Sequence, residues 1–279
     1  MPTTMVSEEE LRRHVDELLE EWDDAGAPQP LHQPSVRQGK KFTGADAARL
    51  TSVFGLARHT HETARSIIVL LDARHHSTVA TLVRAAYETA LTAAWLVQSV
   101  GNHGITAFLH EYTRSRTALR NDALKAASAV FRDGAVDVAD TDMTPYEGSL
   151  DSARQFGQVC EDLAPGGKDA YILYRILSSY SHPTVRTVDL YFGPPQAGTT
   201  MPLYRKTPDV PLTREMLLFL TASALVWSAR AYSYLTKDQA HRNSLRRRAR
   251  ALNIQDELHL SDTYRQRHAR AGKKSSTSE

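Results

Sequence analysis

The stretch from Asp169 to Arg186, DAYILYRILSSYSHPTVR, holds the residues of this chain best suited to chemistry. Most of it reads as an apolar helix. Arg175, Ser178, Ser179 and His182 interrupt it at i, i+3/i+4 and i+7, so the four side chains share nearly one face. Pro183 biases the residue before it away from helical backbone, so the helix is predicted over 169–181 and should end at His182. A guanidinium there can hold an anionic group. An imidazole, with an ordinary pKa of about 6.5, can exchange a proton near neutral pH. The alternative is structural: Arg175 and His182 satisfy polar groups between packed helices.

A second polar pair lies in LVRAAYETALTAAWLV, where Arg84 and Glu88 are one helical turn apart and can form an ion pair. Their helix reads as buried, so neither charge should stand alone. Either the pair fixes helix register, or Glu88 orients Arg175 or His182. The histidines His59, His61, His75 and His76 raise the question of a metal. A helical di-metal carboxylate site needs Glu-x-x-His motifs, and the chain has none. Asp72-x-x-His75 is the nearest approach, and His59 and His61 point about 200° apart on a helix. No metal ligand and no cofactor are therefore assigned. Cys160, the single cysteine, excludes an intrachain disulfide and reads as a buried structural thiol, since no charged helix start or adjacent His would activate it.

The elements that must position these residues are helical. Ser7 and Glu10 make a capping box ahead of a first helix over 7–24, and a Pro-rich loop follows over 25–43. Helical spacing recurs over 44–75 through Leu50, Phe54, Ala57, Ala64, Ile67, Ile68 and Leu71. Ser77 reads as the cap of a helix over 78–100 that is apolar almost all round, as a central helix is. Further helices are predicted over 105–132, 147–164, 212–236 and 238–252. Residues 133–146 read as an acidic loop. The proline-rich segment 183–210 reads as a surface loop anchored by Leu190, Tyr191 and Phe192. The last 20 or so residues should fray. Strand-like alternation is nearly absent. The expectation is an all-α bundle of long antiparallel helices, with an N-terminal helix and linker over 1–43, the bundle over 44–236 and a basic C-terminal helix and tail over 237–279.

Charge is unevenly spread. The net charge of +2 is too small to imply nucleic-acid binding by itself. Between Lys237 and Lys274, however, eleven Lys or Arg stand against four Asp or Glu. Arg242, Arg246, Arg247, Arg248 and Arg250 form a cluster that would attract a phosphate backbone without reading sequence. The competing reading pairs this helix with the acidic N-terminal one, which carries Glu8, Glu9, Glu10, Glu20, Glu21, Asp23 and Asp24. The N-terminus lacks a signal-peptide core, and the longest apolar stretch, Leu217 to Ala229, is too short to span a bilayer. A cytoplasmic protein without a membrane partner is expected.

Arg175-ILSSYS-His182 resembles the motif of the HEPN superfamily, helical-bundle proteins whose nuclease members carry Arg, four to six residues, then His. The chain is also similar to a branch of HEPN-like bacterial proteins of unknown function. In that branch an Arg and a Glu sit on an apolar helix and a Ser-x-x-x-His-Pro segment follows; Arg84, Glu88, Ser178 and His182 match. The resemblance covers about residues 50–235. It implies metal-independent RNA cleavage, in which the 2′-hydroxyl is the nucleophile, in a defence or toxin–antitoxin setting. His182 would be the acid/base, Arg175 the phosphate clamp and Ser178 or Ser179 an auxiliary donor. It further implies a homodimer with a composite site. Ile176 departs from the polar residue that nuclease members usually carry after the Arg. A catalytically inactive RNA- or protein-binding module is therefore the first alternative, and a helical small-molecule or metal-binding enzyme the second.

Overall fold

A computed structural model describes residues 6–26, 41–136, 149–236 and 238–276. Among them are eleven helices and four very short strands, so the fold is all-α. Three helices form the centre: α2 (Gly44–Asp72), α3 (His76–Gln98) and α9 (Arg214–Leu235), each packed on the other two. Their sequences explain this. α3 buries Ala80, Ala86, Ala90, Ala93 and Ala94 alongside Val83, Leu91, Trp95 and Leu96, so small residues let neighbouring backbones approach on several sides. α9 is buried along most of its length, from Leu217 to Ser233.

The outer elements settle on this core in turn. α1 (Glu8–Gly26) lays Leu11, Val15, Leu18, Leu19 and Trp22 against α9 and α2. Its Trp22 stacks on the buried His61 ring at 4.1 Å. Ser7 accepts from the Glu10 amide, as the cap reading expects. α10 (Gln239–Ala251) packs on α9 and α1 through Leu245 and Ala249. α6 (Phe156–Glu161) and α7 (Gly167–Ser178) pack on α3. One apolar cluster runs from Leu11 through the central helices to Leu258.

Helix ends differ from the sequence reading where the cap is not a typical cap residue. α2 stops at Asp72 because Arg74 takes a left-handed conformation, φ 60°, and the amides of Arg74 and His75 turn back to the carbonyls of Leu71 and Leu70. Glycine usually fills that position. α3 then starts at His76, with no cap from Ser77. Thr43 and Asp46 form a full capping box at the start of α2, unmarked in the sequence reading.

Other stretches depart further. The helix expected over 105–132 is two helices, α4 (His103–Leu124) and α5 (Ala129–Val136). Arg132 folds back between them to donate to the carbonyls of Ala126 and Ala127. Among the described residues, the helix expected over 147–164 is helical only in α6. Residues before it are irregular because their polar groups bond across the fold: Ser149 donates to the His103 carbonyl, and Asp151 meets α11 (Asp262–Ser276). Most of the predicted loops over 25–43 and 133–146 lie outside the described residues. The 183–210 segment holds α8 (Val185–Asp189) and an antiparallel hairpin of β2 (Phe192–Pro195) and β3 (Pro202–Tyr204), with Phe192 opposite Tyr204. Only Leu190 of its three expected anchors is buried.

The described part of the end expected to fray is instead docked. α11 buries Tyr264 completely, and its Arg267 donates to both Asp151 and Asp162, whose side chains are fully enclosed. His268 Nε2 lies 2.7 Å from Asp151, and Tyr264 donates to the same carboxylate at 2.8 Å. A two-residue ladder of β1 (Leu163–Ala164) and β4 (His259–Leu260) adds to the seam.

Candidate functional site

The candidate site is built on α7 and the turn that follows it. Leu177 is fully buried and fixes the inner face of α7, while Ile172, Arg175 and Ile176 are exposed. The helix ends earlier than Pro183 requires. After Ser178 the amides of Tyr180 and Ser181 bond three residues back, to the carbonyls of Leu177 and Ser178, so the chain tightens into a turn. This tightening breaks the one-face arrangement read from the spacing. Ser178 Oγ is enclosed, without a hydrogen-bond partner among the described residues. Ser179 instead comes to the surface side, donating to the Ile176 carbonyl at 2.7 Å.

Arg175, Ser179, Ile172, Ile176 and Arg186 line an open hollow of about 470 Å³. No carboxylate is among these lining residues. Arg175 forms no ion pair among the described residues. Arg186, from α8, was not singled out by sequence reasoning; no helical spacing links it to Arg175, because the chain turns between them. Its guanidinium bonds the Tyr180 hydroxyl at 3.1 Å and lies 5.5 Å from that ring's centre. That bond holds the Arg186 pKa above its ordinary value. Tyr180 is buried, and its carbonyl accepts from Thr81 of α3 at 3.4 Å, so the turn is tied to the core. His182 is exposed and is not among the residues that line the hollow; its carbonyl accepts from Thr187.

The Arg84–Glu88 pair faces α7 from beneath. The two side chains meet at 3.3 Å. Arg84 also donates to the Tyr174 hydroxyl at 2.8 Å and sits 4.9 Å from that ring's centre. Phe156 and Tyr171 flank Tyr174. A side chain at Gly157 would press on the Tyr171 ring at 3.2 Å, which accounts for glycine there. Burial raises the Glu88 pKa, and Arg84 opposes the shift. Glu88 thus pairs with Arg84 rather than with Arg175 or His182; the pair positions α7 through Tyr174, the residue next to Arg175.

The basic helix is largely committed elsewhere. Arg248 bonds Glu17 and Glu21 of α1, and Ser244 joins Glu21 at 2.7 Å. Arg242 donates to the carbonyls of Ser233 and Thr236, covering the end of α9. Arg246 lies 3.4 Å from Asp256. Arg247 and Arg250 are exposed, without an ion pair among the described residues.

Among the described residues no group of three His, Cys, Asp or Glu could hold a metal ion. Asp72, the best acidic candidate, is bound by Arg12 and Arg214, whose bonds hold its pKa below the usual carboxylate range. His59 is exposed while His61 is buried, as their spacing implies. Burial pushes the Cys160 thiol up to about 12, so it is not a thiolate nucleophile near neutral pH. No described helix is long and apolar enough to cross a membrane.

No curated protein and no solved structure matches the chain. Residues 51–199 match the family described as "Family of unknown function (DUF5677)", a span that includes α3, α7 and the hollow but neither α10 nor α11. The chain belongs to this family.

Proposed function

We propose that the α7–α8 hollow binds RNA phosphate and that the protein is a metal-independent ribonuclease of the HEPN type, acting as a homodimer. One observation carries the reading: Arg175 and Arg186 open onto the same hollow, and no carboxylate lines it. Two guanidinium groups so placed can hold a phosphodiester and stabilise the charge that builds on it during attack by the 2′-hydroxyl. His182, at the end of the same turn and open to solvent, is the proton-transfer group. Ser179, rather than Ser178, supplies the auxiliary hydroxyl. The test is cleavage of mixed RNA by the purified full chain with chelator present. Cleavage that His182→Ala lowers at least about a hundredfold supports the assignment. Equal cleavage by that variant removes His182 from the chemistry.

A second reading has its own observation. Ile172 and Ile176 flank the arginines and are exposed, as are Val185 and Val188 on α8. Such a mixed apolar and basic face suits a binding module that holds RNA or protein without cutting it. Chelator-resistant binding with no cleavage in the same assay selects it.

A further inference from the structure

On the other face of α7 lies a cavity that the hollow does not use. Its volume is about 200 Å³. Leu91 of α3, Leu163, Leu173 of α7 and Leu258 supply apolar walls; Tyr87, Cys160 and Trp227 complete the interior. The mouth is formed by the Pro165-Gly166-Gly167 turn, the exposed Asp169 and Ala170. The turn keeps it open, since Gly166 and Gly167 carry no side chains and both have positive φ, 123° and 35°.

Protein interiors pack closely, and an open space of this size leaves its lining short of packing partners. Engineered apolar cavities of about 150 Å³ take up benzene, so this space fits a single ring with one or two added atoms. Tyr87 gives it a second character. Tyr87 is only 3% exposed, and its hydroxyl forms no hydrogen bond among the described residues. Neither does the enclosed Cys160 thiol. The Tyr87 hydroxyl is not sealed off, so it is open to a hydrogen-bonding group that enters the cavity. The Tyr87 and Trp227 rings stand edge to face, 6.0 Å apart, and offer an incoming ring both an edge and a face.

We infer that the cavity between α3, α7 and α9 is a binding site for a small aromatic molecule bearing one hydrogen-bonding group, of phenol to cresol size. The ring occupies the apolar space and its polar group pairs with the Tyr87 hydroxyl. The site is independent of the hollow, because Leu173 and Ala170 face it while Arg175 and Ile176 face away.

Phenol and toluene, equal in shape and different in one hydroxyl, are the probes. Calorimetric titration of the full chain should show both binding at millimolar concentration or tighter. Tyr87→Phe should weaken phenol by about tenfold, the worth of one neutral hydrogen bond, and leave toluene within about twofold. Ala170→Leu, which fills the mouth, should abolish both. If Ala170→Leu does not fold, the phenol-to-toluene contrast in Tyr87→Phe decides alone. Absence of binding by both probes, or binding that neither variant changes, overturns the site.

Discussion

The two arginine-rich regions of this chain behave in opposite ways. In the C-terminal segment, Arg248 meets Glu17 and Glu21, Arg246 meets Asp256, and Arg267 meets Asp151 and Asp162. In the α7–α8 hollow, Arg175 has no carboxylate partner among the described residues, and Arg186 leans on a tyrosine. The region with more charge is therefore the one where most of it is matched internally, with Arg247 and Arg250 left exposed. Local charge density reads as a binding surface only after internal carboxylates have been matched to it. The imidazoles repeat the contrast. His61 is sealed between Ala57 and Trp22, while His182 stands in solvent.

The largest effect should come from Arg267→Ala. It strips the shared cation from two fully enclosed carboxylates, and removing one partner of a buried pair costs about 3–5 kcal/mol. The hydrogen bond to Asp162, with Asp151 behind it, holds the Arg267 pKa above its ordinary range. Denaturant unfolding should show that loss, and proteolysis should open the C-terminal segment first. A loss under about 1 kcal/mol would mean that α11 is not docked as described.

Next comes acid. His61 donates through Nδ1 to the Ala57 carbonyl, and burial lowers its pKa to about 3. Burial, with Arg248 nearby, lowers His14 as well. The unfolded chain binds more protons at these sites between about pH 6.5 and the folded value, so stability falls as pH drops through that window and is unaffected above it. The slope from His61 alone is about 1.4 kcal/mol per pH unit. His61→Gln should flatten the decline measured by thermal melts between pH 6.5 and 5. An unchanged slope would break the contrast with His182.

A smaller effect is expected for Arg248→Ala. The pairs with Glu17 and Glu21 are partly exposed, so about 1 kcal/mol should be lost, and less in high salt. The variant should leave RNA affinity alone, because its charge is already matched. A drop in affinity equal to that of a hollow variant would return α10 to the binding surface.

Much of the fold is legible in the sequence for a physical reason. α2, α3 and α9 announce themselves by dense apolar repeats, and burial follows those repeats. The polar, turn-bound segments are not legible, because distant partners settle them. Nothing local marks Asp151 as the acceptor of Tyr264, Arg267 and His268, more than a hundred residues away. The same long-range bonds order α11, whose composition alone suggests a loose tail. In the site, Arg175 and His182 stand out by spacing, but the tightened turn after Ser178 replaces Ser178 with Ser179. It also brings in Arg186, which no helical periodicity could connect to them.

The central claim is that the phosphate-binding charge of this protein sits in the hollow and not on the basic helix. RNA binding measured against salt concentration for Arg175→Gln with Arg186→Gln, beside Arg247→Gln with Arg250→Gln, tests it directly. Each phosphate contact contributes slightly under one unit to the slope of log affinity against log salt. The hollow pair should weaken binding and reduce the slope by about one to two, with stability unchanged within about 0.5 kcal/mol. The helix pair should change neither. The reverse pattern, with the helix pair lowering the slope and the hollow pair leaving it intact, would contradict the account.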